Sequence, residues 1–155
     1  MRKHISIKAI HKLVDNALNC LFTIDSYLLI NDANERAITH RLACYLQTSF
    51  PEWDVDCEYN RNHDQAKRLH SIASRNAQMD NTNGKTVFPD IIVHKRGTNN
   101  NLLVIEVKKS TNRETEHFDF AKLDAYKNEL NYKFALFIKL LTGNSTVGIQ
   151  DYIWK

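Results

Sequence analysis

The chain is poor in the residues that break or staple a fold. Its 155 residues include only four Gly, two Pro and three Cys. So little Gly and Pro excludes collagen-like and low-complexity architectures. Cys20, Cys44 and Cys57 are odd in number, lie far apart and form no C-x-x-C pair, and no His stands at zinc-finger spacing from them. A disulfide framework or a zinc finger is therefore not expected. Three reduced thiols fit a reducing compartment, so the expectation is a cytoplasmic protein. Long apolar runs are missing too, and no membrane span is expected. The basic start, Met1-Arg2-Lys3-His4, is not followed by an apolar signal core, because Lys8, His11 and Lys12 interrupt it.

What is present reads as one ordinary domain, 1–155. With 43% hydrophobic and 25% charged residues, the chain has enough apolar material for a core. The formal net charge of +3 leans toward a polyanionic partner without requiring one.

Hydrophobic period sets the expected elements. Ile10, Leu13, Val14, Ala17, Leu18 and Leu21 recur at helical spacing, so a first helix is read over 5–21. Residues 25–30 read as an extended or turn-like link. Asp32 followed by Glu35 has the pattern of a capping box, opening a second helix with Ile38, Leu42, Tyr45 and Leu46 inward and Phe50-Pro51 at its end. Trp53, Val55, Cys57 and Tyr59 then alternate with polar residues, as a half-buried strand does. Two aliphatic runs, 87–95 and 101–109, flank the turn formers Gly97-Thr98-Asn99-Asn100 and predict a β-hairpin. A helix over 118–130 and strands over 132–141 and 146–154 complete the order. The class is α/β (α+β), a mixed central sheet flanked by helices.

Residues 61–86 stand apart as a polar insertion between strands, with a short helix expected over 65–77. Arg61, Lys67, Arg68, Arg75 and Lys85 against Asp64 and Asp80 leave a local excess of +3, equal to that of the whole chain. Such a segment is either a solvated surface insertion or a nucleic-acid contact.

The chemistry lies on the hairpin. In Leu102-Leu103-Val104-Ile105-Glu106-Val107-Lys108, Leu103, Ile105 and Val107 share one face, and Glu106 and Lys108 share the other with Val104. Charges on an otherwise apolar strand are costly unless paired or bound. The preceding strand repeats the anomaly, since Asp90 opens the apolar run Ile91-Ile92-Val93 directly after Pro89, where a bend or bulge is expected. Asp90 lies eight residues before Thr98 and Glu106 eight after, so the hairpin sets them opposite one another. Adjacent carboxylates repel, and a hard divalent cation held by their oxygens and the Val107 carbonyl resolves the repulsion. Lys108 beside it would orient a water or stabilise negative charge on a phosphorane.

Phe88-Pro89-Asp90, followed after fifteen residues by Glu106-Val107-Lys108, resembles the PD-(D/E)XK motif of restriction-endonuclease-like nucleases. The resemblance extends over most of the chain. It implies an αβββαβ core with an extra N-terminal helix and Mg2+ dependence, Mn2+ being expected to substitute. It also implies cleavage of DNA, with RNA as an alternative. Asp90 and Glu106 would be ligands and Lys108 the catalytic lysine. A helix before the first core strand often carries a further metal-holding Glu, and Glu35 fits that place, although helix capping explains it equally. The departures are the 61–86 insertion and the N-terminal helix.

Lys109, Lys122, Tyr126, Arg61, Lys67 and Arg68 are the candidate nucleic-acid contacts. For Lys122 and Tyr126, which share a helix face, a snorkelling Lys and a half-buried Tyr are the plainer reading. The competing function is a catalytically silent nucleic-acid-binding or scaffold protein on the same fold. A homodimer through the stripe from Ile10 to Leu21 is a further expectation, with ordinary core as the simpler use of that stripe.

Overall fold

The structure is a computed structural model. It describes residues 5–59, 61–62, 65–66, 68–69, 85–86 and 88–155. Three helices come first: α1 (Ile7–Ile24), α2 (Ser26–Ile30) and α3 (Glu35–Ser49). The Ser6 hydroxyl accepts the Ala9 N–H at 3.2 Å, one of the four donors a helix start leaves open. Ile10, Val14, Ala17, Leu18 and Leu21 form its buried stripe, which belongs to the same core as Ile38, Leu42 and Leu46 of α3. The stripe is thereby spent on the chain's own core and offers nothing to a second copy.

Two local expectations change. Residues 26–30 are a short helix rather than an extended link, a piece too brief for helical periodicity to show. It is held beside α3 through Asp25, whose Oδ2 accepts from Arg41 Nε at 2.8 Å and from the Tyr45 hydroxyl. The capping box is absent. Asn34 is the N-cap of α3, its side chain accepting the Ala37 N–H at 2.8 Å, and Glu35 is the first helical residue. Asp32 sits outside the helix at φ 53° and takes the Thr111 hydroxyl at 2.8 Å.

The strands are β1 (Asp54–Cys57), β2 (Arg61–Asn62), β3 (Gln65–Ala66), β4 (Arg68–Leu69), β5 (Lys85–Thr86), β6 (Ile91–His94), β7 (Asn101–Lys109), β8 (Phe134–Leu140) and β9 (Ile149–Trp154), with α4 (His117–Leu130) before β8. One five-stranded mixed sheet runs β1-β6-β7-β8-β9. β7 pairs antiparallel with β6 and parallel with β8, the parallel step requiring the crossover that α4 supplies. Gln65–Ala66 and Arg68–Leu69 pair antiparallel with β2 and β5 respectively, where a helix was expected.

The period-two pattern of β7 divides two cores. Leu103, Ile105 and Val107 pack with α1 and α3. Val104 packs on the opposite side with Ile92, Ala135, Phe137 and the α4 residues Leu123, Ala125 and Tyr126. The fold is thus α+β, a mixed sheet between two helices and one. With helices on both faces, the central strand is buried from Asn101 to Lys108. Glu106 and Lys108 therefore lie inside the protein. Among the described residues no helix is long and apolar enough to cross a membrane.

Candidate functional site

The β6–β7 register pairs Ile91 with Ile105, Ile92 with Val104 and Val93 with Leu103. Extended by one residue, it sets Asp90 opposite Glu106, as symmetric counting about Thr98 predicts. Pro89 has no N–H to give, and the regular strand starts only at Ile91, with Asp90 in a bend. The register irregularity of the hairpin lies at its other end, between Val93 and His94. Freed from the ladder, Asp90 turns its carboxylate onto β7, where Oδ2 accepts the Val107 N–H at 2.7 Å. Val107 thus stands between the two acids through its backbone.

Glu106 is 1% exposed, and its two oxygens differ. Oε2 receives Lys122 Nζ at 2.9 Å, while Oε1 is buried and meets no N–H. Burial, and then the neighbouring Asp90 charge, hold the Glu106 carboxyl well above the usual range. Burial also raises Asp90, against the pull of the Val107 N–H, the Lys122 ammonium and a hydrogen bond with the Glu106 carboxyl. Two acids that both resist ionisation, side by side on an apolar sheet, mark a site that costs stability.

Helix α4 supplies the counter-charges. Lys108 Nζ bonds Asp119 Oδ2 at 2.9 Å and the Thr115 carbonyl at 3.3 Å. Lys122 Nζ also bonds the Phe88 carbonyl at 3.1 Å. Residues three apart on a helix share a face, as do residues two apart on a strand. Asp119 and Lys122 therefore present opposite charges to Lys108 and Glu106 in matching order. This complementarity between Asp-x-x-Lys on the helix and Glu-x-Lys on the strand was present in the sequence, yet Asp119 escaped notice because the helix was read alone.

The nucleic-acid candidates on α4 sit elsewhere than expected. Lys122 is 8% exposed and Tyr126 fully buried, its hydroxyl without a partner, so neither offers surface to a polyanion. The two-residue offset that buries Glu106 draws them inward with it. Lys109 is also committed: its Nζ lies 3.1 Å from Asp32 Oδ1 and bonds the Ala33 carbonyl at 3.1 Å, pinning the end of β7 to the turn before α3. Lys67 lies outside the described residues, and for Arg61 and Arg68 only the strands that carry them, β2 and β4, are described.

Glu35 reaches the same end of the sheet from α3. Its Oε2 accepts the Lys109 N–H at 3.2 Å. With Asp90 it lines a cleft of about 250 Å³ that also meets His40, Cys57 and the 3.2 Å ion pair of Arg36 with Glu58. Partial burial, aided by Cys44 and Asp90, pushes the Cys57 thiol up to about 11, so it stays protonated at neutral pH and is a poor nucleophile.

The donors around Asp90 and Glu106 are oxygens, which suit a hard divalent cation over a soft one. Apart from the hydrogen bond between the two acids, Glu106 Oε1 meets no donor. Among the described residues no group of three or more His, Cys, Asp and Glu side chains stands together to hold a metal ion. A cation here would rest on the two carboxylates, with water and backbone completing its shell, which is the habit of Mg2+. No family model, curated protein or solved structure matches the chain.

Proposed function

We propose that the chain is a divalent-metal-dependent nuclease of the restriction-endonuclease-like, PD-(D/E)XK kind, hydrolysing phosphodiester bonds in DNA. The observation that carries this reading is the pairing of Asp90 and Glu106 across β6 and β7, with Lys108 on the same face of the same strand. Asp90 and Glu106 would hold Mg2+ or Mn2+, with the Val107 carbonyl as a backbone ligand and Glu35 across the cleft. The metal would polarise the phosphate and lower the pKa of a bound water. Lys108, oriented by Asp119 and the Thr115 carbonyl, keeps one N–H to direct at the attacking water or at developing negative charge. The β1–β6–β7–α4–β8 order after α3 supports an αβββαβ core. The cleft beside Glu35 and Asp90 opens to solvent at Arg36 and gives a phosphate an approach. Cutting both strands of a duplex would take two copies, joined through a face other than the α1 stripe.

The test is cleavage of plasmid, branched DNA and RNA with Mg2+ or Mn2+, beside Asp90→Ala and Lys108→Ala. Each variant is expected to lose roughly 10²–10³-fold in rate. Turnover that survives Asp90→Ala would sink the site. A second reading, a silent nucleic-acid-binding or scaffold protein, draws on the same ion pairs: Glu106 and Lys108 already have partners in Lys122 and Asp119. Binding of DNA without cleavage under every divalent ion would favour it.

A further inference from the structure

Lys122 touches one of the two acids directly yet has no part in the proposed chemistry, and its placement is too specific for a snorkelling side chain. Its ammonium bridges the Phe88 carbonyl, just before Pro89-Asp90, to Glu106 on the neighbouring strand, at 3.1 and 2.9 Å. It thus ties together the two chain segments that carry the acids, and it does so inside the protein. We infer that Lys122 is a built-in cation that holds the acid pair together without metal and competes with a divalent ion for Glu106, so that its charge weakens metal binding until a phosphodiester joins the ion.

The inference rests on the metal site proposed above. The crowding of two cations on one carboxylate is its core. A divalent ion added at Glu106 stands beside the Lys122 ammonium, which already holds the same carboxylate at 2.9 Å. Positive charges sharing one carboxylate in a weakly screened interior repel strongly. A phosphodiester on the ion adds a negative charge that offsets the crowding of the two cations. Glu106 gives a divalent ion somewhere to begin, because the ammonium takes Oε2 while Oε1 meets no N–H and the neighbouring Asp90 carboxyl shares the site. Tyr126, also buried and unpartnered at its hydroxyl, closes the apolar wall around the pair and keeps solvent from screening it.

The experiment is a Mn2+ titration followed by electron paramagnetic resonance on the whole chain without nucleic acid. The chains compared are wild type, Lys122→Gln, Lys122→Arg and Asp90→Asn. Glutamine keeps an N–H donor for Glu106 and the Phe88 carbonyl but removes the charge. Lys122→Gln is expected to bind Mn2+ about tenfold more tightly than wild type, and Lys122→Arg to match wild type. Binding by Lys122→Gln alone supports the inference equally. Adding a short duplex should tighten Mn2+ in wild type and much less in Lys122→Gln. Equal or weaker Mn2+ binding by Lys122→Gln, with wild-type binding lost in Asp90→Asn, overturns the role of Lys122 and leaves the metal site standing. Absence of binding in all four chains, with the duplex as well as without it, overturns both. Should Lys122→Gln not fold, amine labelling of wild type decides: Mn2+ is expected to speed acylation at Lys122, and an unchanged rate in a chain that has bound Mn2+ refutes the competition.

Discussion

Replacing Lys122 by Met tests whether the buried charges are coupled as described. Lys122 Nζ contacts Glu106 Oε2 at 2.9 Å, with the two side chains 10% and 2% exposed. Removing one partner of such a pair strands the other, at a cost of about 3–5 kcal/mol. Here the lower end is expected, because the Asp90–Glu106 pair can take up a proton when the ammonium is gone. At this chain length about 3 kcal/mol corresponds to a fall in Tm of roughly 6–12 °C. The pH dependence has a definite sign. Both acids are already raised in the folded state, chiefly by burial, and loss of Lys122 raises them further. Above the ordinary carboxylate range the folded form then holds a proton that the unfolded chain releases, so stability falls as pH rises. Urea unfolding of metal-free protein at pH 5 and pH 8 should therefore show the larger loss at pH 8. Glu106→Gln should cost less, since Asp90 remains to balance Lys122, and the double variant should cost less than the sum. A loss below about 1 kcal/mol at pH 8, or one equal at both pH values, would refute the coupling.

Three further outcomes follow from the same geometry. Asp90→Asn keeps an acceptor for the Val107 N–H while removing a raised acid, so the stability of the metal-free variant relative to wild type should rise as pH climbs from 5 to 8, with cleavage lost; a difference that shrinks over that range counts against the burial argument. Tyr126→Phe removes a buried hydroxyl that has no partner and should stabilise by about 1 kcal/mol in denaturant unfolding, whereas a clear loss would mean that the hydroxyl is satisfied. Asp56 is lowered despite its burial, because Arg96 and His94 bond its carboxylate. Its contribution is present above the ordinary Asp range and is lost as pH falls through the depressed folded value, so Asp56→Asn should cost about 1–3 kcal/mol at pH 7 and little near pH 2.

Much of this architecture was legible beforehand, and the reasons differ by element. β7 and its turn were readable because a nine-residue aliphatic run rich in Leu, Val and Ile, bounded by turn formers, is too short and too β-branched for a buried helix. The opposition of Asp90 and Glu106 needed only the position of the turn, since an antiparallel hairpin is symmetric about it. The capping box failed because Asp-x-x-Glu is a local pattern that Asn34, two residues later, satisfies better. α2 failed for want of length. The full burial of Lys122 and Tyr126 was not legible, because a charged or hydroxylated residue on a helix face shows its depth only once the opposing strand is known to carry a complementary charge.

The hairpin, its two acids and its lysine follow from sequence alone, because alternation, a proline and a turn are local facts. Whether those charges meet solvent, a metal or each other is a matter of what packs on the sheet. Only the tertiary structure shows α4 laying Asp119 and Lys122 against Lys108 and Glu106, and α3 bringing Glu35 to the same edge. The energy of a buried charge depends on the partner across the core, and that partner can stand anywhere in the chain.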